Sequence, residues 1–343
     1  MYVILGGYMA TAINDFIQGI VMIGGIVAVI AAVLSGQGGF MSAVSKLAEL
    51  ESDVAVTQGQ PGAFTSFFGP DPVNLLGVII LTSLGTWGLP QMVHKFYTIK
   101  DEKAVKTGTI ISTFFAVIIS GGCYFLGGFG RLFDNPAIYK EDGSIIYDAI
   151  IPQMLSTLPD ILIGVVVILV LSASMSTLSS LVLTSSSTLT LDFIKGNLVK
   201  DMDEKKQLLV MRVLIVFFIA ISVILALDPP TFIAQLMGIS WGALAGAFLA
   251  PFMYGLFWKK TTPLAVWASF IAGVGITVSN MFFKFIASPI NAGAAAMIAG
   301  LVIVPAVSLL TPKMDKKQVD DIFACYEEEV YVKRKIALPE EKK

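Results

Sequence analysis

Hydroxyl side chains are concentrated in one apolar stretch of the chain. Residues 172–190 read SASMSTLSSLVLTSSSTLT, with twelve serines and threonines among nineteen residues. On a helix, positions i, i+3 and i+4 share a face, so Ala173 can present its carbonyl beside the hydroxyls of Ser176 and Thr177. Neutral oxygens without carboxylates suit a small, singly charged hard cation that must be released again. The stretch therefore predicts a sodium site, and close helix packing with hydroxyls bonded to their own backbone is an equal alternative.

Two glycines and a proline interrupt a second apolar stretch. Residues 85–90 read GTWGLP, and both residue types weaken helical hydrogen bonding. Interrupted helices form solute sites in transporters because their freed backbone groups can face a ligand. Trp87 and Gln91 flank the break, so a solute can stack on the indole and hydrogen-bond to the amide. The plain alternative is a packing kink without a ligand.

The catalytic pairs that an enzyme needs are missing from the apolar stretches. Asp15, Asp160 and Asp192 lie at the ends of such stretches, as does the single histidine, His94. A proton-driven pump is expected to carry an acidic relay at membrane depth, and no stretch has an acidic residue at its centre. These patterns argue against an intramembrane enzyme and against proton coupling.

The segments that must position these groups are long and uncharged. The chain is 55% hydrophobic and 14% charged, whereas soluble proteins carry about 25% charged residues. A helix that crosses a bilayer needs about 20 apolar residues. Eight segments qualify: 14–35, 73–97, 107–129, 160–192, 207–227, 231–258, 263–286 and 289–311. We expect an all-α membrane protein in a lipid bilayer, and the net charge of −2 excludes nucleic acid as a partner.

Lysine and arginine are distributed unevenly between the connections. If the connections alternate and the first residues lie inside, nineteen basic residues are inside and only Lys46, Arg131, Lys140 and Lys284 are outside. The excess of inside charge predicts a multi-pass protein of the cytoplasmic membrane with both termini in the cytoplasm. Three regions follow: a remnant of a preceding helix and a cytoplasmic turn (1–13), a transmembrane domain (14–312) and a cytoplasmic tail (313–343).

Four stretches together resemble the sodium:solute symporters, a family that includes proline, pantothenate and sugar carriers. Residues 6–18 (GGYMATAINDFIQ) are similar to the family's Gly-Gly and Thr-Asp-x-x-Gln segment, and residues 85–95 to its Gly-Gln-Pro and Arg segment. Residues 174–192 look like its Met-Ser-Thr-Leu-Ser sodium helix, and residues 241–260 resemble its late signature. The four stretches occur in the family's order across nearly the whole chain.

The resemblance implies the inverted-repeat fold of the leucine-transporter type and a set of site residues. It implies that Ala173, Ser176 and Thr177 are sodium ligands, and that Asp15 influences sodium on its cytoplasmic path. For Asp15, an N-cap on the first span is the alternative. The candidate solute-binding residues surround the broken helix: Thr82, Thr86, Trp87, Gly88 and Gln91.

Departures from the family's pattern concern the solute. Thr82 and Thr86 stand where proline carriers have aromatic pocket residues, Leu89 replaces a glutamine, and Gln91 replaces a histidine. These differences leave the ion site intact and do not identify the solute. We expect a small organic solute, such as an amino acid or a carboxylate.

The resemblance also starts late in the family's order of helices. By the count of spans, the chain begins at the fifth core helix, holds the second repeat and adds two further helices, so the expected fold is incomplete. We predict sodium-coupled symport by a fragment of the full transporter, with a separately encoded N-terminal half as a candidate partner. The alternative is a non-transporting membrane subunit or an inactive remnant.

Overall fold

A computed structural model describes residues 2–96, 99 and 101–326. Within these residues the chain folds into twelve α-helices, whose internal hydrogen bonds satisfy backbone groups that a bilayer could not hydrate. They are α1 (Tyr2–Gly36), α2 (Phe40–Glu49), α3 (Pro72–Gly88), α4 (Pro90–Phe96), α5 (Glu102–Gly128), α6 (Tyr147–Leu155), α7 (Asp160–Ser187), α8 (Glu204–Leu227), α9 (Ile233–Phe257), α10 (Pro263–Phe283), α11 (Pro289–Leu310) and α12 (Lys316–Phe323).

Among the described residues, seven helices are long and apolar enough to cross a membrane: α1, α5, α7, α8, α9, α10 and α11. The prediction of an all-α membrane protein is therefore confirmed. The remaining predicted span, residues 73–97, is instead divided into the shorter helices α3 and α4.

The start of the chain differs from the expected domain boundary. Helix α1 begins at Tyr2, so residues 2–13 continue the first span, and the described backbone of this segment contains no turn. No proline occurs in the segment to remove a helical hydrogen bond. Within the predicted tail, the described part contains α12, and residues 327–343 lie outside the described residues.

The two ends of the helices differ in their connections. Residues 37–71 and 129–159 form long connections at one end, which we call the loop end. There Arg131 forms an ion pair with Asp53, and its guanidinium lies 4.9 Å from the ring centroid of Phe64. The opposite end, which we call the basic end, carries the short lysine-rich connection between α7 and α8 and the one between α9 and α10.

The spans form two packed groups. In the first group α7 packs against α1 and α8, and α1 also packs against α5, around a core that includes Ile26, Val29 and Val166. In the second group α3, α9, α10 and α11 pack around a core that includes Leu81 and Met297. The hydroxyl-rich helix α7 therefore lies in the first group, and α3, the first half of the interrupted helix, lies in the second.

Glycines allow the helices of the second group to approach closely. A Cβ atom added to Gly242 would lie 2.5 Å from the Cα atom of Gly293, and one added to Gly273 would lie 2.2 Å from the carbonyl carbon of Gly246. No side chain fits at these distances, so α9, α10 and α11 meet backbone against backbone. Small residues have the same use in helix packing within bilayers.

Large apolar side chains cover the outward faces of α5 and α8. Phe114 is 67% exposed, Leu209 63% and Ile224 66%. Contiguous apolar surface of this kind is unfavourable in water and neutral against lipid tails. The exposed faces therefore agree with a position in the bilayer.

Candidate functional site

The interruption predicted from the Gly and Pro residues is present. Helix α3 ends at Gly88 and α4 begins at Pro90, with Leu89 in an extended conformation (φ −85°, ψ 118°) between them. Pro90 has no N–H to donate, and its ring disfavours the helical conformation of the preceding residue. The break lies at the proline end of the predicted segment, because α3 continues through Gly85.

Both glycines of the segment face α9. A Cβ atom added to Gly85 would lie 3.2 Å from the Trp241 ring, and one added to Gly88 would lie 2.8 Å from the Cα atom of Ala245. Close packing therefore accounts for the glycine at both positions. A contact between Gly88 and a solute stays a prediction.

The other candidate solute-binding residues differ in whether their polar groups or their surface are available to a ligand. The hydroxyl of Thr82 donates to the carbonyl of Val78 at 2.7 Å, and that of Thr86 donates to the carbonyl of Ser83 at 3.2 Å. The indole of Trp87 is 58% exposed, and Gln91 is half-buried. Trp87 and Gln91 therefore have surface available to a ligand, whereas the two hydroxyls already bond to their own helix.

The candidate sodium ligands lie on an unbroken part of α7. Ala173 and Ser176 are half-buried and Thr177 is exposed. Ser179 and Ser186 donate to carbonyls of their own helix, as the packing alternative predicts. The hydroxyls of Ser176 and Thr177 have no hydrogen-bond partner among the described residues. These two hydroxyls are therefore available as oxygen ligands.

Helix α1 lies antiparallel to α7, because the last residue of α1 and the first residue of α7 are both at the loop end. A Cβ atom added to Gly25 would lie 2.5 Å from Leu169. A helix rises about 1.5 Å per residue, so about 15 Å farther toward the basic end Asp15 is level with Ser179. By the same reasoning Gln18 is level with Ser176.

Three neighbouring polar atoms of α1 are buried and lack a partner within the described residues: Asn14 Nδ2, Asp15 Oδ1 and Gln18 Oε1. An unsatisfied buried polar group costs about 1–3 kcal/mol, so such a cluster indicates a place for a ligand, a water molecule or a further polar group. The N-cap alternative for Asp15 is wrong, because α1 begins at Tyr2 and Asp15 lies in its interior. Asn14 and Gln18 are not among the residues selected from the sequence, although an i, i+4 spacing places them on one face.

Gln91 meets the hydroxyl-rich helix at the basic end. An open pocket of about 530 Å³, which we call the cavity, joins it to Thr184, Ser185 and Asp192. Along α7, Thr184 is about 10 Å beyond Thr177 at the rise of an α-helix. The described residues contain no group of three His, Cys, Asp or Glu side chains that could hold a metal ion. Oxygen donors of hydroxyl, amide and carbonyl type therefore dominate both parts of the site.

The similarity of this chain to known proteins agrees with the pairing of an interrupted helix and a hydroxyl-rich helix. Residues 1–273 match the Sodium:solute symporter family, and the chain belongs to that family. The resemblance carried by the four sequence stretches is thus confirmed.

Two curated relatives illustrate the range of solutes. The chain is 30% identical over 277 residues to the Sodium/pantothenate symporter of Haemophilus influenzae, covering 80% of this chain and 54% of the relative. It is 26% identical over 288 residues to the High-affinity proline transporter PutP of Bacillus subtilis, covering 81% of this chain and 56% of the relative. The chain thus spans about half the length of these relatives. Both are transporters and not enzymes, as predicted, and the comparisons give no support for a separately encoded N-terminal half.

Proposed function

We propose that this chain takes part in sodium-coupled symport of a small organic solute across the cytoplasmic membrane, as a fragment of the full transporter. Family membership supports the reaction class. The observation that carries the proposal is the pair of unpartnered hydroxyls, Ser176 and Thr177, on a helix that also borders the interrupted helix at Gln91.

The proposed sodium ligands are the carbonyl of Ala173 and the hydroxyls of Ser176 and Thr177. Three neutral oxygens hold a monovalent ion weakly enough for release during a transport cycle, whereas a carboxylate cage would retain it. Asp15 contributes from α1, since one of its carboxylate oxygens is buried without a partner at nearly the same level. Its negative charge favours sodium along the path between this site and the basic end.

The proposed solute contacts are Trp87 and Gln91, with Thr82, Thr86 and Gly88 lining the interrupted helix. Relatives of this chain carry pantothenate or proline by name, so the solute belongs to the range of small amino acids and carboxylates. The basic end faces the cytoplasm, because nineteen of the lysines and arginines lie on that side if the connections alternate. Both termini are then cytoplasmic.

The test is uptake into membrane vesicles that contain this chain, driven by an inward sodium gradient, with labelled proline and pantothenate as probes. Ser176→Ala and Thr177→Ala should each raise the sodium concentration needed for half-maximal uptake by about tenfold, the effect of losing about 1.4 kcal/mol from one ligand. Ser222→Ala is the matched control, since its hydroxyl bonds to the Phe218 carbonyl in α8. If the sodium dependence of uptake is unchanged in both variants, the assignment of the sodium site is wrong.

A non-transporting membrane subunit or an inactive remnant is the second candidate. Binding of radioactive sodium to the purified chain separates the two candidates. Sodium binding that is lost in Ser176→Ala supports the symporter, and no sodium binding together with no uptake supports the second candidate.

A further inference from the structure

The cavity at the basic end has the size and lining of a binding site for a small molecule. Its volume of about 530 Å³ lies within the range of about 300–1,000 Å³ that ligand pockets occupy. It is bordered by α4, by α7 with its continuation, and by α8 and α9. The polar lining residues are Gln91, Thr184, Ser185, Thr188, Asp192 and Asn197.

A change of helical winding shapes this side of the cavity. Beyond Ser187 the chain continues as a π-helix over Thr188–Leu198, in which the N–H of Val199 donates to the carbonyl of Ile194 at 2.8 Å. The side chain of Asn197 donates to the backbone carbonyl of Asp192 at 3.1 Å. The wider winding is uncommon and often occurs at functional sites. Thr188 and Asp192 of this segment both line the cavity.

The cavity carries a carboxylate. Asp192 is the only ionisable residue among the described residues that line it. Lys195, three positions along the same segment, does not line the cavity. A lone carboxylate beside amides and hydroxyls attracts a cation and repels a carboxylate anion.

Two aromatic rings favour an organic cation over a bare metal ion. Phe193 and Phe218 both line the cavity, one on the π-helix and the other on α8. Aromatic faces stabilise ammonium groups by about 0.5–2 kcal/mol, and they also cover the methyl or methylene groups around the nitrogen. A sodium ion would use neither the rings nor most of the volume.

We propose that this cavity binds the cationic nitrogen of a small organic solute, with Asp192 as its counter-charge and with Phe193 and Phe218 against its apolar part. The inference rests on the proposed function and narrows it. Gln91 belongs to α4, directly after the interruption, and it also lines this cavity. The cavity is therefore a second binding position for the solute, at the basic end. The solute is then a zwitterionic or quaternary amine and not a simple carboxylate anion.

The experiment measures binding of tetramethylammonium to the purified full chain in lipid nanodiscs by isothermal titration calorimetry, with sodium, acetate and buffer as separate arms. Asp192→Asn should weaken tetramethylammonium binding by at least about tenfold, the loss expected when a charged partner is removed. Asp192→Glu keeps the charge and should retain binding. Asp201→Asn is the matched control, because Asp201 is exposed at the same end and does not line the cavity.

Three results would overturn the inference: no binding of tetramethylammonium to the unaltered chain, equal binding in Asp192→Asn and the unaltered chain, or binding of sodium alone. A calorimetric signal with acetate equal to that with tetramethylammonium would also overturn it. Near-ultraviolet circular dichroism verifies that each variant is folded. The assay needs no ion gradient, so failed uptake with intact tetramethylammonium binding would count against the proposed function and leave the cavity assignment standing.

Discussion

The carboxylate of Asp148 accepts the backbone N–H of Ile233, whose nitrogen lies 3.1 Å and 3.3 Å from the two carboxylate oxygens. This bond joins α6, in the long connection 129–159, to the first residue of α9. A negative charge is favourable at a helix N-terminus, where backbone N–H groups lack helical partners. The rings of Tyr147 and Phe232 lie beside it with centroids 5.0 Å apart. The loop end therefore links the two helix groups across the membrane surface.

Replacing the carboxylate should loosen this link without unfolding the protein. Asp148→Ala removes a partly solvated charged hydrogen bond that contributes about 0.5–1.5 kcal/mol, so the amide of Ile233 should exchange with deuterium about two- to tenfold faster. Mass spectrometry of peptides covering the start of α9 provides the measurement. Asp142→Ala is the control on the same connection, and an identical effect there would refute a specific role for Asp148.

Lys284 is the described non-glycine residue with a left-handed backbone (φ 49°), at the end of α10. This conformation costs a residue with a Cβ atom about 1–2 kcal/mol, and glycine avoids that cost. We expect Lys284→Gly to raise the free energy of unfolding by about 1 kcal/mol, measured by chemical unfolding in detergent micelles. Lys284→Ala removes the charge but keeps the strain, so a gain of the same size in both variants would contradict the explanation.

The glycine contact between α9 and α10 makes a second stability prediction. Gly273→Ala forces a methyl group against the backbone of Gly246 and should lower the free energy of unfolding by about 1–3 kcal/mol. Gly275 lies on the same helix with no atom within 4 Å of an added Cβ atom. There Gly275→Ala should be neutral or stabilising by up to about 1 kcal/mol, since alanine favours helix. Equal thermal stability of the two variants would rule out the packing argument.

The described part of the tail docks through Lys259. Its ammonium group lies 3.1 Å from a carboxylate oxygen of Asp320 and 5.6 Å from the ring centroid of Phe323. Half-exposed contacts of these kinds each contribute about 0.5–1 kcal/mol and weaken in salt. Lys259→Gln should therefore speed deuterium exchange in α12 about two- to fivefold at low salt and little at 1 M salt. Lys260→Gln is the neighbouring control, and the prediction fails if both variants respond alike.

The spans and the interruption could be predicted because their causes are local. An uncharged run of sufficient length must become a helix in a bilayer, and Pro90 cannot donate the bond that would continue α3. Residues 2–13 differ from the predicted turn, because helical hydrogen bonds continue through them into the first span.

Contacts between distant helices decide what the sequence could not show. Gly273 and Gly275 are both glycines of α10, yet only Gly273 lies against the backbone of another helix. The π-winding of residues 188–198 also leaves no local mark, because a helix with i→i+5 bonds uses the same residue types as an α-helix. From the sequence, Asp192 is therefore interpreted as an ordinary residue at the end of a span. The helical spacing of Ser185, Thr188 and Asp192 is the one signal that could have placed them on a common face.

The extended conformation of Leu89 has a mechanical consequence. Helix α3 is fixed to α9 and α11 in the second group, whereas α4 contacts α7 in the first. Leu89 is 1% exposed and is the only residue between these two anchored pieces. If the two helix groups move relative to each other while both contacts are kept, the change in direction falls on the backbone of Leu89, so this buried leucine is the hinge between α3 and α4.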